Sequence, residues 1–112
     1  MMLTVVELPE YLRQAAKVLD AGERSAIVDH LATHPKAGVL IEGTGGVRKL
    51  RWGRDSRGKS GGVRIVYYFH SEAMPLYLLT LFTKGDKADL SKAERNELRS
   101  LVDVLVSIWM EK

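Results

Sequence analysis

The sequence predicts an α+β fold: a single domain in the order β-α-α-β-β-β-α, with a small, mainly antiparallel sheet, a helical hairpin and a C-terminal helix. Three observations predict it. Apolar residues near the N-terminus recur at steps of three and four; three β-branched and aromatic runs follow in the middle, joined by Gly-rich or polar turns; the C-terminal segment returns to helical spacing. A chain of 112 residues suits one domain and one modest core, and neither an internal repeat nor a composition break argues for a second.

Each element has its own local reason. LTVVEL (3–8) is short and β-branched, a first strand. Pro9 suits the first helical position, and Tyr11, Leu12, Ala15, Ala16 and Leu19 follow at helical spacing. Asp20 and Glu23 have the spacing of a capping box, so a second helix should run from about 21 to 33 with Ile27, Val28 and Leu31 inward, until Pro35 stops it. AGVLIEGTGG (37–46) is a Gly-rich connection. VRKLRW (47–52), VRIVYYFH (63–70) and LYLLTLFT (76–83) are strands, the last so continuously apolar that both of its faces should be covered. HSEAMP (70–75) is the tight turn between the last two. Ser91 and Glu94 form a second capping box, opening a helix over about 92–110 with Leu98, Leu101, Val102, Leu105, Ile108 and Trp109 inward.

Composition excludes several classes. At 46% hydrophobic and 28% charged the chain belongs with folded rather than disordered proteins. It has no cysteine, which removes disulfide frameworks and thiolate metal sites. No apolar run is long enough for a transmembrane helix, and MMLTVVELPEYLRQ lacks the basic start and apolar core of a signal peptide, so the cytoplasm is the expected location. His30 and His34 stand four apart on one helix face without an evident third ligand, so no metal site is expected. No cofactor is expected either.

Charge is unevenly spread. Between Arg48 and Arg64 seven basic residues face the single acid Asp55, a net of +6; the other 95 residues hold ten basic and thirteen acidic side chains, a net of −3. A compact basic block on a slightly acidic body is the footprint of a polyanion partner. Within it GRDSRGKS (53–60) matches the phosphate-cradling P-loop pattern letter for letter. A P-loop must open a helix, however, and here two glycines and the strand VRIVYYF follow. The string is therefore the tip of a basic β-hairpin, and Arg48, Arg54, Arg57 and Lys59, with Lys87 further on, are the candidate RNA-binding residues.

Strand alternation puts Lys49 and Arg51 on one face of their strand with Val47, and Arg64, Val66, Tyr68 and His70 on one face of the next. Val63, Ile65, Tyr67 and Phe69 form the better core face. If the strands are antiparallel neighbours, Lys49, Arg51, Arg64 and Lys84 converge on one open surface without acidic partners, which favours an anion there. Such a cluster can stabilise the phosphorane formed when a 2′-hydroxyl attacks its own phosphodiester. Tyr68 and His70, or a lysine of the cluster, are the candidate proton-transfer groups. Trp52 either stacks on a base or covers the sheet edge.

The run GTGGVRKLRW, then GGVRIVYYF, then LYLLTLFTKGDKADLSKAE resembles toxins of the RelE/HigB group of bacterial type II toxin–antitoxin systems, over roughly residues 35 to 100. The element order agrees with the fold of that family. The resemblance implies a ribosome-dependent mRNA interferase that cuts mRNA in the ribosomal A site, and a cognate antitoxin, usually with a helix-turn-helix DNA-binding domain in the HigB-like branch. It assigns catalytic roles to Lys49, Arg51, Arg64 and Lys84. The family often carries a Tyr or His after the last strand; GDKADLSKAE has neither, which leaves Tyr68 or Lys87 to act in its place, or phosphate stabilisation to carry most of the rate. The related gyrase-inhibiting ParE branch is the alternative, with the same fold and no nuclease chemistry, and a non-catalytic RNA-binding domain is a third possibility.

Overall fold

The structure, a computed structural model, describes residues 2–53 and 62–110. β1 (Val5–Glu7), α1 (Pro9–Val18) and α2 (Ala21–Thr33) are followed by β2 (Val39–Leu40), β3 (Val47–Trp52), β4 (Val63–Tyr68), β5 (Leu76–Thr83) and α3 (Lys92–Met110). The predicted α+β class and element order hold, with one addition. The Gly-rich connection contains β2, two residues paired antiparallel with β3 through Val39–Lys49 and Leu40–Arg48.

Both capping boxes close. In α2, Glu23 N–H donates to Asp20 Oδ1 at 2.8 Å while Asp20 N–H donates to Glu23 Oε1 at 3.0 Å. In α3, Glu94 N–H donates to Ser91 Oγ at 3.1 Å and Ser91 N–H to Glu94 Oε1 at 2.8 Å. Each satisfies two amides that have no partner within the helix.

The strands form one sheet in the order β1-β5-β4-β3-β2, parallel between β1 and β5 and antiparallel elsewhere. Two apolar layers sandwich it. On one face Tyr11, Ala15, Leu19, Ile27 and Leu31 of the helical hairpin pack on Val63, Ile65, Tyr67, Leu76, Leu78 and Leu81. On the other, Val102 and Leu105 of α3 pack on Val47, Val66, Tyr68, Tyr77, Leu79 and Phe82. In β5 the residues facing the hairpin step from 78 to 81, and those facing α3 from 79 to 82. A bulge causes this, because Val66 pairs with Thr80 whereas Tyr67 pairs with Leu78, leaving Leu79 extra.

The expectation of one open sheet face is therefore corrected: Val66 and Tyr68 are buried beneath α3. The inward face of α3 is also narrower than expected. Ile108 and Trp109 are 64% and 47% exposed. Trp109 Nε1 still donates to Tyr77 Oη at 2.7 Å. On the hairpin, Leu12 and Ala16 face outward rather than into the core.

Tyr67 fastens the segment between α2 and β3. Its hydroxyl donates to Pro35 O and accepts from Gly38 N–H, both at 2.8 Å, and burial raises its pKa. Tyr67→Phe leaves that buried amide without its partner, so a loss of about 2 kcal/mol is expected. Urea unfolding should show the midpoint lowered with an unchanged m-value.

Candidate active site

The β3–β4 register builds the site. Arg51 lies directly opposite Arg64, and Lys49 opposite Val66. Residues facing each other in this way share a sheet face with Cα atoms about 4.5–5.5 Å apart, and Lys49 lies two residues, about 6.6 Å, further along the same face. Phe82 of β5 is next in the row, paired with Arg64. Lys49, Arg51 and Arg64 are thus brought together on the α3 face, at the end of the sheet where β3 ends and β4 begins. Arg51 is exposed, and Lys49 and Arg64 are half-buried.

The chain after β5 folds back over this row. Asp86 N–H and Lys87 N–H both donate to Thr83 O, at 3.0 and 3.2 Å, turning the strand end so that Lys87 Nζ stands 5.5 Å from the centre of the Phe82 ring. Lys87 therefore stands over Phe82, the cross-strand neighbour of Arg64, and Lys84 is exposed at the start of the same turn. The turn and the start of α3 also supply acidic partners that the sequence reading did not assign to these lysines. Lys49 Nζ donates to Asp89 Oδ1 at 3.1 Å, and Lys87 pairs with Glu94 Oε2. Of the cluster expected without acidic partners, Lys49 has one, Asp89. The signal of both acids was available in GDKADLSKAE, as acids in a turn bound to return toward the sheet.

Both carboxyls are held below the usual range. For Asp89 the largest cause is the N–H of Leu90, 2.8 Å from Oδ1, followed by Lys49; for Glu94 it is Lys87, followed by the N–H of Ser91. A carboxyl depressed on folding contributes stability above its unfolded pKa and loses it as pH falls through the folded value. Stability should therefore drop as the solution is acidified below about pH 4. Glu94→Gln should be less stable than wild type at pH 7 but flatter through that range. Thermal melts from pH 6 to pH 3 check this.

The remaining candidates lie elsewhere. Arg48 is on the hairpin side of β3; its Nη1 donates to Gly38 O at 2.7 Å and to Lys36 O at 3.5 Å, so it clamps backbone rather than joining the cationic row. Tyr68 stands four residues from Arg64 along β4, about 13 Å away, with its ring against α3. Its hydroxyl is 3.0 Å from His70 Nδ1, and burial, then Asp103, raises its pKa. Neither Tyr68 nor His70 is brought to the cations. Trp52 packs on the hairpin-side core and meets His30 edge-on, with ring centres 5.8 Å apart, which settles its two readings in favour of covering the sheet. Arg54, Arg57 and Lys59 lie outside the described residues.

Two grooves flank the site. One, of about 950 Å³, runs between the β2–β3 edge and the first turns of α3 and holds Lys49, Asp89, Lys92, Arg95 and Asn96. The other, of about 540 Å³, lies between α1, β5 and α3 and contains Glu10, Asp86, Lys87, Glu94 and Glu97. Among the described residues no cluster of three or more His, Asp or Glu could hold a metal ion, and no helix is long and apolar enough to cross a membrane.

A five-stranded sheet with a helical hairpin on one face and a C-terminal helix on the other is the RelE fold. The E. coli toxin RelE, solved as an arginine-substituted mutant in the free state, aligns with a TM-score of 0.56 over 94% of this chain and 100% of that one, at 15% identity. The family model described as "RelE toxin of RelE / RelB toxin-antitoxin system" matches residues 33–112. The chain belongs to the RelE toxin family.

Proposed function

We propose that this toxin is a ribosome-dependent mRNA interferase, an endoribonuclease that cuts mRNA in the ribosomal A site and stops translation. One observation carries the reading: Arg51 directly opposite Arg64 on the sheet face that also bears Lys49. Three cationic side chains gathered on one sheet face make a surface that suits a polyanionic substrate. In the proposed reaction these three residues and Lys84 neutralise the phosphorane as the 2′-hydroxyl attacks and the 5′-oxygen leaves. Lys87 extends the positive surface along the RNA, and Arg54, Arg57 and Lys59 add further basic groups from the segment of sequence that joins β3 to β4. The reading needs neither metal nor cofactor. The toxin acts in the cytoplasm, where its ribosome and mRNA partners are, and a cognate antitoxin with a helix-turn-helix DNA-binding domain neutralises it.

The test is inducible expression followed by mapping of mRNA 5′ ends. Codon-phased cuts that disappear when translation of the reporter is blocked are expected. Intact mRNA accompanied by a DNA-damage response would overturn the reading and point to a gyrase-inhibiting toxin of the ParE type.

A further inference from the structure

We propose that Asp89 is the proton acceptor of this reaction, taking the proton from the 2′-hydroxyl that attacks the scissile phosphate; the inference rests on the interferase reading above. The cationic row supplies charge stabilisation, but a nucleophilic hydroxyl must also lose a proton. The imidazole and phenol that the sequence suggested, His70 and Tyr68, are paired with each other at the far end of β4. Two carboxylates contact nearby lysines, Asp89 on Lys49 and Glu94 on Lys87, and their geometries differ. Both oxygens of Glu94 are engaged, Oε1 by the N–H of its helix cap and Oε2 by Lys87. Both described hydrogen bonds to Asp89, from Leu90 N–H and Lys49 Nζ, end on Oδ1. Among the described residues its Oδ2 accepts no hydrogen bond, and two donors fix the position of the carboxyl.

Asp89 is 54% exposed and lines the 950 Å³ groove together with Lys49, so RNA following the Arg64–Arg51–Lys49 row reaches the carboxylate at the end of that path. The same groove is lined by Lys49 from β3, Lys92, Arg95 and Asn96 from α3, and Glu42 from the β2–β3 turn. The proton balance is complete: the 2′ O–H bond breaks and its proton passes to Asp89; the 2′-oxygen bonds to phosphorus; the bond from phosphorus to the 5′-oxygen breaks; and that oxygen takes a proton from the ammonium of Lys84. Lys49 stays protonated throughout, holding Asp89 and the phosphate side by side.

The test uses purified ribosomes programmed with a short mRNA and single-turnover cleavage by the full chain. Asp89→Asn keeps an oxygen to accept from Leu90 N–H but cannot take a proton, and its rate is expected to fall about 100-fold. Asp89→Ala is expected to regain activity with added carboxylates, the more basic acetate being more effective than formate. A rate for Asp89→Asn within about threefold of wild type would overturn the inference. So would rescue of Asp89→Ala that is equal for acetate, formate and chloride, since that pattern belongs to a residue that only positions Lys49. A wild-type protein that leaves the programmed mRNA intact overturns the interferase reading itself, whereas active wild type with unaffected Asp89 variants overturns this inference alone.

Discussion

Arg64→Ala is expected to abolish growth inhibition and to slow cleavage of ribosome-bound mRNA by about 10²–10³-fold, the usual cost of removing one donor that stabilises an oxyanion. Arg51→Ala should behave in the same way, because the two guanidiniums lie directly opposite each other on one sheet face. The accompanying change in stability separates this from simple damage to the fold. A cross-strand pair of like charges is unfavourable by a few tenths of a kcal/mol to about 1 kcal/mol. Removing the exposed Arg51 relieves that repulsion, so its thermal midpoint should stay level or rise while activity collapses. A packing residue such as Val66, fully buried beneath α3, would lose both together. Growth curves after induction, single-turnover cleavage and thermal melts of the same variants make the comparison. A folded Arg64→Ala protein that still arrests growth would show that the chemistry lies elsewhere.

How much of this was legible in the sequence depended on how local each cause is. The capping boxes at Asp20–Glu23 and Ser91–Glu94 are decided within four residues, and both closed where the spacing put them. The three long strands were legible from their β-branched and aromatic content, and their alternation gave the shared face of Lys49, Arg51 and Arg64. β2 was not legible, since two residues inside a Gly-rich connection carry no periodicity and pair only because β3 offers an edge. The destination of Arg48 was equally hidden. It depends on where the carbonyls of Lys36 and Gly38 pass after α2 ends, a relation across the chain that no local pattern records. The expected open sheet face failed for a related reason. Alternation assigns residues to two sides of a strand, but which side α3 covers is settled by tertiary packing, and here both sides are covered. Asp89 and Glu94 were visible as acids, but that they meet Lys49 and Lys87 follows from a turn held by Thr83 O.

The same dependence on close packing makes Gly38→Ala the substitution expected to damage fold and site at once. A Cβ added there would stand 2.8 Å from Lys49 O and 2.9 Å from the Tyr67 ring. The first of these is backbone of the neighbouring strand, so relief cannot come from a side-chain rotation. Either β2 must withdraw from β3, giving up the Val39–Lys49 pairing, or β3 must shift at Lys49. The Tyr67 hydroxyl bond to Gly38 N–H and the Arg48 bond to Gly38 O are strained with it. Overpacking of this kind costs about 1–3 kcal/mol, which for a domain of this size lowers the thermal midpoint by roughly 4 °C or more per kcal/mol. Activity should fall further than stability accounts for, because Lys49 carries the proposed phosphate contact and a displacement of about 1 Å can cost on the order of 100-fold in rate. Cleavage measured well below the melting temperature separates the two effects, since the variant is then folded and only the placement of Lys49 differs. Normal single-turnover rates from a destabilised Gly38→Ala protein would mean that Lys49 tolerates displacement, and its role in catalysis would have to be given up.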